Sequence, residues 1–365
     1  MGKVRVLHCL GKLDAGGAET LVMNVFRCMD SNDIEFNFLL FDATPGFYDK
    51  EVKSKGCRLY YLDSISKVGF IAYMKQLNDF FKEHPYFVVH SHMDWLGGFI
   101  SYAAHRAGIK KIIVHSHANQ DIFKANFIHK LMITVNKILI NKYADYCLAC
   151  SEEAGKSLFK GDFEVLFNGI DFNKFKNPDP VIVDKIKKEL NIDSKNIVLG
   201  CVGSFSKNKN QIFLIELLAK LMKTNSNYKL VLVGKGKEEE NLRRRVKELN
   251  LEKNVVFAGV RKEIAEFMSM FDIFLFPSIH EGLGIVGIEA QASGLPCIVS
   301  NSIPKSIVID QDLVKFVNFD LDLWVNNIRS CGNKKMNTNL NDKYSISNTS
   351  NRLIEIYTDE EKVEK

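Results

Sequence analysis

Proline is scarce, with 7 residues in 365, and the 8 cysteines are too dilute to frame a fold by disulfides. The sequence also lacks any run near the ~20 apolar residues that cross a bilayer. Neither charge dominates: 49 Lys+Arg against 44 Asp+Glu leave a net +5, which excludes a dedicated nucleic-acid-coating protein. The N-terminal stretch Met1-Gly2-Lys3-Val4-Arg5-Val6-Leu7-His8 carries two charges and no small-residue cleavage site, so no secretory leader is expected. The expected location is cytoplasmic, at most peripheral on the inner face of the cell membrane. Cys147-Leu148-Ala149-Cys150 spells C-x-x-C without a second pair to complete a metal site. Tyr146, Leu148 and Ala149 make it read as buried strand. What is abundant is core material: 46% hydrophobic residues, 26 of them Phe, enough for two domains.

Short β-rich runs alternate with longer helical patterns, the sequence form of βαβ units around a buried parallel sheet. In the first half the runs are 4–10, 36–41, 87–90, 112–114, 146–150 and 165–167; a charged connector with a short helix follows over 168–196. A second series covers 197–202, 229–233, 255–257, 273–276 and 297–300. The expected class is α/β, with two Rossmann-like doubly wound domains, 1–172 and 173–345, facing a central cleft, and a last helix over 346–365 packing back on the first. The Asn/Ser/Lys-rich stretch 333–351 reads as a loop.

Ligands of open α/β sheets bind beyond the carboxyl ends of strands. After the first strand, Gly16 and Gly17 open a helix where free N–H groups favour an anion. Their spacing is not G-x-G-x-x-G, although Asp42 after the second strand could imitate a ribose-binding acid, so an NAD-dependent oxidoreductase is a competitor. His90-Ser91-His92 and His115-Ser116-His117 each end a strand, where i and i+2 share a face. Four such rings could ligate zinc, or serve as hydrogen-bonding groups in a cleft.

The richest stretch is Phe276-Pro277-Ser278-Ile279-His280-Glu281-Gly282-Leu283-Gly284-Ile285-Val286-Gly287-Ile288-Glu289-Ala290-Gln291-Ala292. It reads as strand, glycine loop, then a helix starting near Gly284. A helix start suits a diphosphate. Carboxylates at Glu281 and Glu289 can accept hydrogen bonds from sugar and ribose hydroxyls. Glu289 lies among Ile288, Ala290 and Ala292, in a helix too apolar to be solvated. The loop Val202-Gly203-Ser204-Phe205-Ser206-Lys207-Asn208-Lys209-Asn210 adds two lysines able to reach phosphate.

In this order the pieces resemble the retaining glycosyltransferases of family 4, which have the GT-B architecture. The resemblance spans nearly the whole chain. It rests on Gly16-Gly17-Ala18-Glu19, the His92 strand end, Asn168-Gly169-Ile170-Asp171, Val202-Gly203 with Lys209-Asn210, Val233-Gly234-Lys235-Gly236, Phe257-Ala258-Gly259, and above all 281–289. His115-Ser116-His117, Ile288-Glu289-Ala290-Gln291-Ala292 and Ile303-Pro304-Lys305 resemble the enzymes that extend capsular or exopolysaccharide units.

The resemblance implies a nucleotide-sugar donor and a lipid-linked glycan acceptor, with no cofactor, no metal and no nucleic acid. Glu289 would bind the ribose, Gly284, Ile285 and Lys209 the diphosphate, and backbone near Val260 the base. Glu281 and His92 would contact the donor sugar, while Gly16 and Gly17 would let diphosphate and acceptor approach. The family usually has Arg where Ser204 stands. A fork of donors is therefore lost, and a non-catalytic partner subunit is a further alternative. Asp310-Gln311-Asp312 and Asp320-Leu321-Asp322 match a metal-binding Asp-x-Asp string but read as turns. Residues 123–143 interleave Phe127, Leu131, Val135 and Ile138 with Lys124, Lys130, Lys137 and Lys142. They read as a basic amphipathic helix able to lie on an anionic membrane, or as an ordinary helix with a solvated edge.

Overall fold

The computed structural model describes residues 3–29, 33–117, 127–331 and 342–359. The chain divides into two units, Met1–Ile170 with Lys343–Lys365, and Asp171–Asp342. In the first, strands β1 (Val4–Leu10), β2 (Ile34–Leu40), β3 (Leu59–Tyr61), β4 (Val88–Ser91), β5 (Lys111–Ser116), β6 (Tyr146–Ala149) and β7 (Glu164–Val165) form one sheet in the order β3-β2-β1-β4-β5-β6-β7. In the second, β8 (Ile197–Val202), β9 (Tyr228–Val233), β10 (Val255–Gly259), β11 (Ile273–Phe276), β12 (Cys297–Ser300) and β13 (Val314–Val317) run β10-β9-β8-β11-β12-β13. Every pairing is parallel. Both sheets thus repeat the order 3-2-1-4-5-6 of a nucleotide-binding doubly wound fold.

The strands are apolar on both faces because both faces are covered. Along β1, Val6 and Leu10 enter one core layer while Leu7 and Cys9 enter the other. The first layer includes Leu353, Ile356 and Tyr357 of the C-terminal helix Ile346–Thr358, which packs beside the first helix, Gly17–Cys28. That helix begins inside the stretch expected as a loop; residues 333–341 of the stretch lie outside the described residues. The connector is two short helices, Phe172–Lys176 and Pro180–Glu189, each N-capped by an aspartate side chain, Asp171 and Asp179. Two short edge strands, β3 and β13, appear beyond the expected set. Cys147 and Cys150 are free, and burial pushes their thiols up to about 11 and about 12. They remain protonated packing residues.

Lys111, at the start of β5, is 1% exposed. Its ammonium donates to the carbonyls of Ile356 (2.6 Å), Tyr357 (3.4 Å) and Asp359. The lysine therefore satisfies carbonyls at the end of the C-terminal helix and sits at the negative end of its dipole. This contact ties the last helix to the sheet. Replacing Lys111 with Met should destabilise the first unit by about 2 kcal/mol, read from the denaturant midpoint, because buried carbonyls lose their donor.

Candidate active site

In the second unit the order reverses between β8 and β11, which pair directly. The loops leaving their carboxyl ends diverge around an opening. After β8, Gly203 (φ +153°) carries no Cβ, and the Lys209 side chain passes 3.8 Å from where one would be. The Lys209 ammonium ends 2.5 Å from Glu281 Oε1, with side-chain exposures of 22% and 11%. Asn208 fastens the two loops: its Nδ2 donates to the His280 carbonyl (2.8 Å), its Oδ1 accepts from the His280 N–H (3.1 Å), and its own carbonyl accepts from the Ile279 N–H. The two residues singled out in separate loops are therefore one ion pair, and Asn208 sets its geometry. Lys207 is exposed, and Ser204 contributes its carbonyl to the Gln211 amide.

The helix after β11 runs Ile285–Ala292. Gly284 caps it at φ +84°, and a Cβ there would lie 2.9 Å from the Phe276 ring. Left-handed backbone and close packing both require glycine at this point. Glu289 lies in the helix's second turn and is 7% exposed. Burial pushes its carboxyl up to about 7, with Lys174 pulling the other way. Among the described residues it has no hydrogen-bond or ion-pair partner. A nearly enclosed carboxyl held near neutrality can both accept from and donate to hydroxyls.

Gln291 of the same helix is structural. Its Nε2 donates to Gly287 and Ile307 carbonyls, and its Oε1 accepts from Ile309 and Asp310 N–H groups. Val260 directly follows β10 and Gly259 (φ +72°) and is half-buried. Both Asp-x-Asp strings are local: Asp310 accepts from the Asp312 N–H, Asp320 caps the helix Leu321–Ser330, and Asp322 pairs with Lys220.

In the first unit, Gly16 is the N-cap of the first helix, and a Cβ on it would strike the Glu19 carboxylate. A Cβ on Gly17 would meet nothing within 4 Å, so the space before this helix end stays clear. Burial pushes the Glu19 carboxyl up to about 7, a backbone hydrogen bond lowers it, and Asp14 and Asp94 raise it further. Asp42 is exposed and closes a turn on Thr44. That turn accounts for it without a ribose.

His90, His92, His115 and His117 are joined by a fifth ring, His8, whose strand position pairs with His90. His8 Nδ1 lies 3.0 Å from His92 Nε2, and His92 Nδ1 lies 2.8 Å from His117 Nε2. His90 Nδ1 meets the Tyr357 hydroxyl at 2.7 Å, and His115 stacks on His90. Ring nitrogens of His8, His90 and His92, and of His92, His115 and His117, gather within 4.8 Å and could hold a metal. The two closest pairs are nevertheless nearer than the about 3.3 Å between nitrogens on a tetrahedral zinc with 2.0–2.1 Å bonds. They are hydrogen-bond distances. His92 spends both nitrogens on its neighbours, whereas His117 Nδ1 has no partner among the described residues and its residue is less buried. That unpartnered nitrogen of His117 is itself buried. Asp94, held at φ +46°, fixes that strand end by accepting from the His117 N–H.

The fold, the loop pair and the buried carboxyl can now be set beside known proteins. A "Glycosyl transferases group 1" family model matches residues 182–361, and a "Glycosyltransferase Family 4" model matches residues 15–174. The putative glycosyltransferase EpsF of Bacillus subtilis is 36% identical over 333 residues, covering 89% of this chain and 86% of that protein. The chain is a family 4 glycosyltransferase with the GT-B fold. CapH, a capsular polysaccharide biosynthesis glycosyltransferase of Staphylococcus aureus, is 27% identical over 374 residues, covering 97% and 98% of the two chains. The crystal structure of Anabaena HepE with UDP and glucose superposes with a TM-score of 0.79 at 18% identity, covering 96% and 98%. The family placement is that of sugar transfer. It sets aside the oxidoreductase reading.

The five rings give the glycosyltransferase a characteristic acid response. Burial pushes His8 and His117 from 6.5 down to about 3, and His90, His92 and His115 well below their ordinary value. Below pH 6.5 the unfolded chain binds protons that these rings refuse, so stability is lost as pH falls, by up to about 1.4 kcal/mol per ring per pH unit. Glu19 has the opposite sign, since its raised carboxyl favours the folded state as pH drops below about 7. Five rings outweigh one carboxyl. The first unit should lose at least about 3 kcal/mol between pH 7.5 and 5.5 in denaturant unfolding.

Proposed function

We propose that this glycosyltransferase moves a hexose or N-acetylhexosamine from a nucleotide-sugar, most simply a UDP-sugar, to a lipid-linked glycan, with retention of anomeric configuration and without a metal. The observation that carries the reading is the Lys209–Glu281 pair where β8 and β11 diverge, next to the helix start at Gly284 and the unpartnered carboxyl of Glu289. In this reading the N–H groups of Gly284 and Ile285 with Lys209 hold the diphosphate, and backbone near Val260 meets the base. Glu289 takes the ribose hydroxyls and Glu281 the donor sugar. From the first unit His92 is assigned to sugar binding, and the helix start at Gly16 and Gly17, open beside Gly17, to diphosphate or acceptor. A diphosphate leaving group gains charge in the transition state, so preorganised N–H groups and one ammonium act where that charge develops. Ser204 supplies no fork of donors, which leaves Lys209 as the cation of this loop that reaches the site. UDP in the HepE complex supports the choice of base.

Support for a lipid-linked acceptor comes from the helix Phe127–Tyr143. Phe127, Ile128, Leu131, Val135 and Ile138 are exposed at 81, 69, 55, 39 and 52% beside exposed Lys130 and Lys142. Phe123 and Lys124 of the expected amphipathic pattern lie outside the described residues. No described helix is long and apolar enough to cross a membrane. A stripe of this kind suits the interface of an anionic leaflet.

With a panel of UDP- and GDP-sugars and a bacterial lipid extract, mass spectrometry should detect a glycosylated lipid, and the product should survive EDTA. Lys209→Ala should lower kcat/KM by about 100-fold, as for loss of a donor to a developing anion. Lys207→Ala should cost less than threefold, roughly, because that side chain is exposed. Equal small losses would remove the diphosphate assignment. Vesicles containing anionic lipid should co-float the protein, and Leu131→Ser with Ile138→Ser should abolish flotation while sparing transfer to a soluble acceptor analogue.

A further inference from the structure

The first sheet reverses its strand order between β1 and β4, which pair directly, as the second does between β8 and β11. A doubly wound sheet takes its ligand at such a point. In the second unit the stretch after β8 brings Lys207 and Lys209. The stretches after β1 and β4, 11–19 and 92–96, contain one lysine, Lys12, and its ammonium lies 3.5 Å from the Asp14 carboxylate. Their acids are Asp14, Glu19 and Asp94, and both aspartates act on Glu19 as like charges.

Glu19 stands in the first turn of the helix Gly17–Cys28, whose N-cap Gly16 has no side chain to serve it. The Glu19 carboxylate folds back over Gly16 and accepts from its own N–H. Among the described residues it has no ion-pair partner. The Gly16 N–H is spent on the Asp14 carbonyl at 2.9 Å. Asn168, 4% exposed, reaches the same turn: its Nδ2 donates to the Gly17 carbonyl at 3.5 Å, and its Oδ1 is buried with no partner among the described residues. This opening therefore presents a largely desolvated carboxyl and an idle amide oxygen, both hydrogen-bond acceptors, and is clear beside Gly17. A phosphate would add negative charge to three carboxylates whose one neighbouring ammonium is already paired. A sugar brings hydroxyls, which can donate to both kinds of acceptor without adding charge.

We propose that the opening between β1 and β4 is a subsite for an uncharged sugar of the acceptor and not for diphosphate, with Glu19 accepting hydrogen bonds from its hydroxyls and Asn168 Oδ1 a second acceptor at the same turn. This subsite presupposes the transfer reaction proposed above, and it settles the helix start at Gly16 and Gly17 on one of its two candidate ligands. Phosphate is left to the second unit, where Lys209 and the helix start at Gly284 stand.

The test is saturation-transfer NMR on the full chain with methyl glycosides of glucose, galactose and N-acetylglucosamine as probes. At least one should bind saturably without UDP, and inorganic pyrophosphate should leave it bound. Glu19→Ala should weaken that binding and raise the acceptor KM of transfer about tenfold or more, as for a lost hydrogen bond to a charged group, while the Kd for UDP stays within about threefold. Glu19→Gln keeps the size of the side chain and one oxygen acceptor; it should cost about threefold in the same two readouts, and it carries the test if the alanine variant does not fold. Four results would each overturn the subsite: no saturable glycoside binding, displacement of the glycoside by pyrophosphate, a UDP Kd that moves by more than about threefold, or glycoside binding and acceptor KM indifferent to Glu19. A protein that binds a glycoside through Glu19 yet transfers nothing from any donor keeps the subsite and loses the proposed reaction. Transfer at a KM indifferent to Glu19 does the reverse.

Discussion

The reversal of strand order is the constraint on which the rest depends. In each sheet the chain winds outward from the central strand one way, returns, and winds outward the other way, so the loops after β1 and β4, and after β8 and β11, leave in opposite directions. Only there does a parallel sheet offer unsatisfied space bordered by helix starts. The glycines that matter stand at these points. Gly17 keeps the first helix end clear, Gly203 lets Lys209 pass, and Gly284 turns the chain against Phe276 in a left-handed conformation. Asn208 then closes the second unit's opening to a fixed width by bonding one loop to the other through three hydrogen bonds.

Low dielectric surroundings do opposite things to the two kinds of titratable group placed at these openings. A carboxyl taken out of water is pushed toward neutrality, as Glu19 and Glu289 are, and imidazoles are pushed away from the cationic form, as all five rings are. Neither shift needs a nearby charge, because desolvation is the leading cause in each case. Lys209 and Glu281, a close pair of opposite charges, have side-chain exposures of 22% and 11%.

Much of this could be read before any coordinates. Apolar β-rich runs located eleven of the thirteen described strands, and the stretch 276–292 announced its loop and helix because Gly284 precedes an apolar helical pattern. The edge strands β3 and β13 were not legible: they are short, and Arg58 and Lys315 interrupt the apolar signal. His8 escaped notice as a site residue because a lone histidine in a strand carries no motif; only the register that sets it beside His90 reveals the cluster. Sequence spacing puts His92 and His117 on strand ends, but which nitrogen is already occupied is a matter of three-dimensional neighbours. Asn208 and Gln291 carry no signal in the sequence, since amide clamps between loops leave no periodic trace.

The two units also divide the electrostatic work of the proposed transfer. A glycosyl group leaving a diphosphate passes through a state with positive charge growing on the sugar and negative charge growing on the phosphate oxygens. An imidazolium beside the sugar would oppose the first change, and a neutral ring donating a hydrogen bond does not. Burial of the whole histidine chain is therefore what makes a histidine-rich strand edge compatible with an electron-poor sugar. In that proposal the second unit supplies the converse: one ammonium and the N–H groups of a helix start, assigned to the place where negative charge accumulates. With serine at position 204 instead of a forked cation, that complement is small. The ion pair with Glu281 then has a second consequence, because it holds the only ammonium of the loop near the site in one place before the donor arrives, and so removes part of the ordering cost that a lone flexible lysine would carry.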